Sequence, residues 1–334
     1  MLAIIVCITT GVCMADRNIM FIFPGQGSQY RGMGSDIYAE FEVARDVYQE
    51  ASDVLGYDMV KLSFEDPNDE IGLTRFTQPA LLTHSIACQR VFDALTGGTV
   101  TPSLAAGHSL GEYTALVATG SLTLADGLRL VHRRGELMGE YGEGGMVALT
   151  VDAEAAELIA DMHYCQVASC NLPEQTVVGG RDEDLENLVA YMREHLPRKR
   201  AIPLATEGAF HTYLMVTAAC EFRAVLDATD FAEPSAHVLS NYTAGAHDTD
   251  AAGIRTRLFF QLFKPVNWAG CLQTAIGQGI NSFIEFGGGL GKGETPAGKR
   301  PNLESIIKKT LKLSGHEAEY SAAINCDTLA AVRS

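Results

Sequence analysis

The stretch Ser103-Leu-Ala-Ala-Gly-His-Ser-Leu-Gly-Glu-Tyr-Thr-Ala-Leu-Val-Ala-Thr-Gly120 decides how the chain is read. Ser103 to Ala106 is short and apolar, as a buried strand is, and Leu110 to Thr119 has helical character closed by Gly120. Between them Gly107-His-Ser-Leu-Gly111 matches Gly-x-Ser-x-Gly, whose glycines permit a tight strand-to-helix turn. Such a turn thrusts the serine oxygen into a cleft at a helix amino terminus, where the following N–H and the helix dipole can stabilise an oxyanion. The bland alternative is an ordinary Gly-rich helix cap.

Working outward, Ile19-Met-Phe-Ile-Phe23 is a continuous apolar run ended by Pro24-Gly-Gln-Gly27, which reads as a buried strand entering a loop. A parallel α/β sheet is its natural host. Leu81 to Leu95 reads as a helix, and Val238–Ser240 and Phe283–Phe286 as further strands. Between Gly145 and Leu204 the pieces alternate: strand 146–151, helix 152–162, strand 165–170, strand 176–179, helix 183–194, strand 200–204. This βαββαβ order is the ferredoxin-like pattern, so 145–204 is expected to be a small subdomain inserted into a larger α/β domain made of 14–144 and 205–334.

At 334 residues and roughly 150 per domain, two domains or one large domain with an insertion are allowed. A hydrophobic fraction of 47% with 20% charged residues excludes a disordered chain. The 25 Lys and Arg against 41 Asp and Glu give −16, a field that repels nucleic acid and anionic lipid, so an anionic ligand needs a local basic site. Eight cysteines contain no Cys-x-x-Cys pair and no zinc spacing with His, which argues against a disulfide scaffold or a structural metal and makes a reducing cytoplasm the expected compartment. Leu2 to Val12 is an apolar run of signal-peptide length, yet no Lys or Arg precedes it and it is too short to span a bilayer. Residues 1–13 are read as an N-terminal extension before a start at Met14.

A serine hydroxyl is a weak nucleophile without a base. Nine histidines are available, and local spacing does not choose among them; His211, in Gly208-Ala-Phe-His211, is one candidate. Leu124, Leu128, Val131 and Met138 define the apolar face of a helix after Gly120. At about 100° per residue Arg134 lies about 60° from Val131 while Arg133 lies about 160° away, so Arg134 flanks the inward face. It is either a snorkelling side chain or a partner of Glu112 or Glu136, or else a guanidinium held in a cleft to clamp a carboxylate. The run Gly287-Gly-Gly-Leu-Gly-Lys-Gly293 fails as a phosphate loop, because Phe286 occupies the first Gly position and Gly293 follows the Lys. Neither Gly-x-Gly-x-x-Gly nor His-Glu-x-x-His occurs. Basic clusters at Arg198-Lys-Arg200, Lys299-Arg300 and Lys308-Lys309 are solvated faces, or one of them meets the phosphates of a pantetheine-bearing ligand or an acidic carrier.

Several segments together resemble the malonyl-CoA:acyl carrier protein transacylases and the acyltransferase domains of polyketide synthases. They are Phe21-Ile-Phe-Pro-Gly-Gln-Gly-Ser-Gln29, Thr77-Gln-Pro-Ala-Leu81, Gly107-His-Ser-Leu-Gly-Glu-Tyr113, Arg129-Leu-Val-His-Arg-Arg-Gly135, Gly208-Ala-Phe-His211, Ser240-Asn241, Pro265-Val-Asn-Trp268 and Phe283-Ile-Glu-Phe-Gly287, in family order across nearly the whole chain. The resemblance implies an α/β-hydrolase-like large domain with an inserted ferredoxin-like subdomain. It implies Ser109 as the acyl-accepting nucleophile, His211 as its base, and Gln26 with the Leu110 backbone N–H as the oxyanion hole. Arg134 would bind the malonyl carboxylate, Asn241 falls in the segment that in this family helps orient the catalytic histidine, and Asn171 with Gln175 would face the cleft, with Asn241, His108 and Phe210 completing the substrate site. Phe210 would crowd an α-methyl, which favours malonyl over methylmalonyl.

The implied cycle is ping-pong, a Ser–His dyad without a cofactor or metal, with malonyl-CoA as donor and an acyl carrier protein as acceptor, and neither nucleic acid nor membrane as partner. Where the family commonly has Gly-Pro-Gly, this chain has Gly287-Gly-Gly and a longer loop to Pro301. That loop and the free-standing length resemble acyltransferases that serve polyketide assembly lines in trans, and fatty-acid synthesis is the other pathway. The alternatives are a serine hydrolase that clears acyl groups from carrier proteins and an inactive docking subunit.

Overall fold

The computed structural model describes residues 18–293 and 295–332, so the 1–13 extension lies outside the described residues. The strands among them are β1 (Ile19–Phe23), β2 (Leu104–Gly107), β3 (Gly145–Leu149), β4 (Gln166–Leu172), β5 (Gln175–Gly180), β6 (Ala201–Leu204), β7 (His237–Val238), β8 (Ser282–Phe286) and β9 (Glu319–Ala323). One sheet has the order β7-β2-β1-β8-β9 with parallel pairing throughout. β1 is buried along its whole length, as its unbroken apolar run requires of a strand covered on both faces. Its alternate residues serve two cores: Ile19, Phe21 and Phe23 pack on one side, with Phe92 and Phe286 edge-on to Phe21, while Met20 and Ile22 join Leu104 and Trp268 on the other.

Residues 145–204 fold into the second sheet, β4-β5-β3-β6, antiparallel throughout, with the helices Ala153–Met162 and Asp182–His195 on it. This is the βαββαβ arrangement expected from the alternation of short elements. Val147, Leu149, Ile159, Val178, Leu188 and Met192 form its own core. β4 ties this sheet to the larger body: Cys170 N–H donates to the Val266 carbonyl, and Val266 N–H to that of Ala168, both at 2.9 Å.

The helix expected over 81–95 runs Thr74–Thr96, straight across Pro79. Proline removes one intrahelical bond and frees the carbonyl of residue 75; the His132 ring nitrogen Nδ1 stands 3.3 Å from that oxygen and takes it up. The segment after Phe286 turns back on itself: Gly287 and Gly288 both have positive φ (80° and 66°), and Gly289 N–H donates to the Ser28 carbonyl at 2.8 Å. A β-carbon on Gly287 would overlap Ser85, so the turn needs glycine there. Among the described residues no helix is long and apolar enough to cross a membrane.

Candidate active site

Ser109 sits between β2 and the helix Leu110–Ala118 with φ 53° and ψ −102°, a conformation that costs about 1–3 kcal/mol for a non-glycine residue. The flanking glycines are there for space, since a β-carbon on Gly107 would overlap the Gly111 backbone and one on Gly111 the Phe23 carbonyl. Two distant amides hold the strained turn. Asn241 Oδ1 accepts from Ser109 N–H at 2.7 Å while its Nδ2 donates to the Gly107 carbonyl at 2.8 Å. Gln261 Nε2 donates to the Ser109 carbonyl at 2.7 Å. Both are anchored in turn on fully buried Glu112, whose Oε2 accepts from Asn241 N–H at 3.0 Å and Gln261 Nε2 at 3.1 Å, and whose Oε1 pairs with His247 at 2.7 Å.

His211 Nε2 lies 2.7 Å from Ser109 Oγ, and its Nδ1 lies 2.7 Å from the Gln261 carbonyl. A carbonyl only accepts, so Nδ1 carries the hydrogen and Nε2 presents its lone pair to the serine hydroxyl. Burial, and then the charge of Arg134, push the His211 pKa down to about 3, so the imidazole is the neutral base form at ordinary pH.

The inward reading of Arg134 holds: it is 1% exposed, on the helix Leu124–Glu140. Its Nη2 stands 3.2 Å from Ser109 Oγ and 3.1 Å from Gln261 Oε1, and Nη1 donates to Gln78 Oε1 at 2.9 Å. Neither acidic partner weighed for it is its own, for Glu112 pairs with His247, and Glu136 with Arg133 at 3.0 Å. Burial pushes its pKa below the usual guanidinium value, with Tyr113 and Glu112 acting against that.

A cavity of about 450 Å³ opens onto Ser109, walled by Gln26, His108, Asn171, Phe210 and His211 among others. Leu110 is the first residue of its helix, so its N–H has no acceptor within the helix. The Gln26 side chain is turned to Thr74, donating to Oγ1 at 3.1 Å. His108 reaches across to the small sheet, Nε2 to Asn171 Oδ1 at 2.8 Å, and Ser169 Oγ donates to the same oxygen at 2.7 Å.

Two expectations are corrected. Asn241 does not contact His211; it braces the serine turn, and the imidazole is oriented by the Gln261 carbonyl. Gln175 does not line the catalytic cavity, because it sits on β5 beside the next turn and faces a separate groove of about 460 Å³ with Arg200 and Lys309, which meets the cavity only at Asn302 and Ile306. Sequence reasoning missed Gln261 and gave Gln78 no role. The available signal for Gln261 was a lone amide in Leu258-Phe-Phe-Gln-Leu-Phe263, since a polar group in an apolar run must be paired when buried.

A half-buried serine beside a neutral imidazole at a strand–helix turn of an α/β body is the arrangement that acyl-serine chemistry requires. The chain belongs to the acyl transferase domain family, whose model matches residues 20–269, a span that includes Ser109, Arg134, His211 and Gln261. The malonyl CoA-acyl carrier protein transacylase of Bacillus subtilis (strain 168) is 40% identical over 281 residues, 81% of this chain and 87% of that protein. The structure of the malonyl CoA-acyl carrier protein transacylase from Coxiella burnetii matches with a TM-score of 0.85 and 30% identity, covering 95% of this chain and 96% of that one. A malonyl-transacylase in complex with a type II polyketide synthase acyl-carrier protein matches at 0.83 and 32% identity, covering 94% of this chain and 98% of that chain.

Proposed function

We propose that this protein is an acyl-carrier-protein S-malonyltransferase serving fatty-acid or polyketide synthesis. The observation that carries the reading is that one oxygen, Ser109 Oγ, stands 2.7 Å from a neutral imidazole nitrogen and 3.2 Å from a buried guanidinium. Ser109 Oγ attacks the thioester carbonyl of malonyl-CoA while His211 Nε2 takes its proton. The oxyanion is met by the backbone N–H groups of Leu110 and Gln26. The tetrahedral species collapses, breaking the C–S bond, and His211 returns the proton to the departing CoA sulfur. The phosphopantetheine thiol of the carrier then attacks the ester, losing its proton to His211, which hands it to Ser109 Oγ as the C–O bond breaks.

Arg134 pairs with the malonyl carboxylate, and Phe210 narrows the space beside the α-carbon. No cofactor takes part in these steps. In the same proposal 14–144 with 205–334 form the catalytic body, 145–204 is the subdomain that covers the cavity through Asn171, and a reducing cytoplasm is the compartment. A panel of acyl-CoAs followed by transfer to a holo carrier protein tests the reading. Malonyl should reach the carrier with the wild type and not with Ser109→Ala, and equal transfer by both proteins would overturn it.

A further inference from the structure

A guanidinium does not shed its proton, so Arg134 places a full positive charge inside the protein. Such a charge is costly unless it is matched, ordinarily by a carboxylate. Among the described residues none forms an ion pair with it: Glu112 is engaged by His247, Asn241 and Gln261, and Glu136 by Arg133. The guanidinium rests instead on two carboxamide oxygens, Gln78 Oε1 at 2.9 Å and Gln261 Oε1 at 3.1 Å. Each amide is fixed with its oxygen toward the cation. Gln78 Nε2 donates to Met138 Sδ at 3.4 Å, and Gln261 Nε2 donates to the Ser109 carbonyl and Glu112. Arg134 Nε is buried with no acceptor. An amide dipole solvates a cation without cancelling it, whereas a carboxylate at the same distance would supply the counter-charge.

We infer that the neutrality of Gln78 is a specificity determinant: by supporting Arg134 without neutralising it, Gln78 keeps a cation beside Ser109 that only an acyl group carrying its own carboxylate can satisfy. This rests on the transferase reading above and extends it to a residue outside the cavity wall. Gln78 is a positioning residue, acting through Arg134.

The test compares Gln78→Glu, which is isosteric and adds a charge, with Gln78→Met, which removes the acceptor and adds none. Loading of Ser109 from malonyl-CoA and from acetyl-CoA is followed by quenched intact-mass measurement at equal concentrations of folded protein. Gln78→Glu should raise the malonyl KM and lower the malonyl-to-acetyl ratio by about tenfold or more, with acetyl loading within about threefold of wild type, because a built-in carboxylate competes for the guanidinium. Gln78→Met should keep that ratio within about threefold. Gln78→Asp carries the same charge one methylene back and should lower the ratio at least about threefold, which keeps the test open if the longer side chain does not fold.

A wild-type ratio in the acidic variants, or a fall in Gln78→Met as large as in Gln78→Glu, overturns the inference. Wild-type malonyl loading, measured first, tests the transferase reading separately.

Discussion

Replacing Arg134 with alanine removes the cation beside the nucleophile and leaves Gln78 Oε1 and Gln261 Oε1 without their donor, at 2.9 and 3.1 Å in the intact protein. A bidentate guanidinium–carboxylate pair contributes two charge-assisted hydrogen bonds of roughly 1.5–3 kcal/mol each, so malonyl loading should lose about 3–6 kcal/mol in kcat/KM, or about 10²–10⁴ in rate. Acetyl-CoA brings no carboxylate and loses none of this; its loading should hold within about threefold or rise, because the acetyl methyl no longer faces an unpaired guanidinium. Folding stability should fall, because two interior carboxamide oxygens lose their donor and a large buried side chain leaves a cavity, offset in part by removal of a cation with no carboxylate partner among the described residues. The assay is single-turnover acylation of Ser109 by each CoA ester, read by intact mass, with thermal unfolding of both proteins alongside. A malonyl-to-acetyl ratio unchanged within about threefold would refute the carboxylate role of Arg134.

Other residues give sharp expectations. Because the Gln26 side chain is turned to Thr74, oxyanion donation rests on backbone N–H groups, and Gln26→Ala should cost less than about tenfold in kcat/KM where a direct side-chain donor would cost about 10²–10³; a loss of the larger size in a loading assay contradicts this. Asn241→Ala leaves the Ser109 N–H and the Gly107 carbonyl unpaired in the interior and should lower unfolding stability by about 2–5 kcal/mol in a denaturant titration, with a lower kcat as the turn relaxes. The folded His211 pKa, about 3, lies below the unfolded value near 6.5, so the unfolded chain takes the proton first as pH falls and stability is lost from about 6.5 downward. Between pH 7 and 5 the wild type should therefore lose roughly 2 kcal/mol more than His211→Gln, and equal losses in paired unfolding curves would show that the imidazole is not held neutral.

The sheet and the serine turn were legible because each depends on local features: an apolar pentapeptide buried on both faces, and two glycines whose missing β-carbons let Gly107, Gly111 and Phe23 approach. The small subdomain was legible from its alternation of short elements. The helix start was not, because Pro79 reads as an interruption and the group that takes up the Arg75 carbonyl, His132, lies 57 residues away. Arg134 could be aimed inward by angular arithmetic alone, yet its supports could not be named. Gln261 is 127 residues from Arg134 and 152 from Ser109, and it orients His211 through a backbone carbonyl that no side-chain identity announces. Asn241 failed for a related reason: its segment was placed correctly, but whether its amide meets the imidazole or the serine N–H depends on side-chain direction.

The most direct test of acyl transfer through Ser109 is intact-mass measurement of the protein with malonyl-CoA, before and after a holo carrier protein is added. One malonyl group should appear on Ser109, persist without the carrier and move onto the carrier's thiol when it arrives. Rapid release of free malonate with an unloaded carrier, or loading that survives Ser109→Ala, would contradict that transfer.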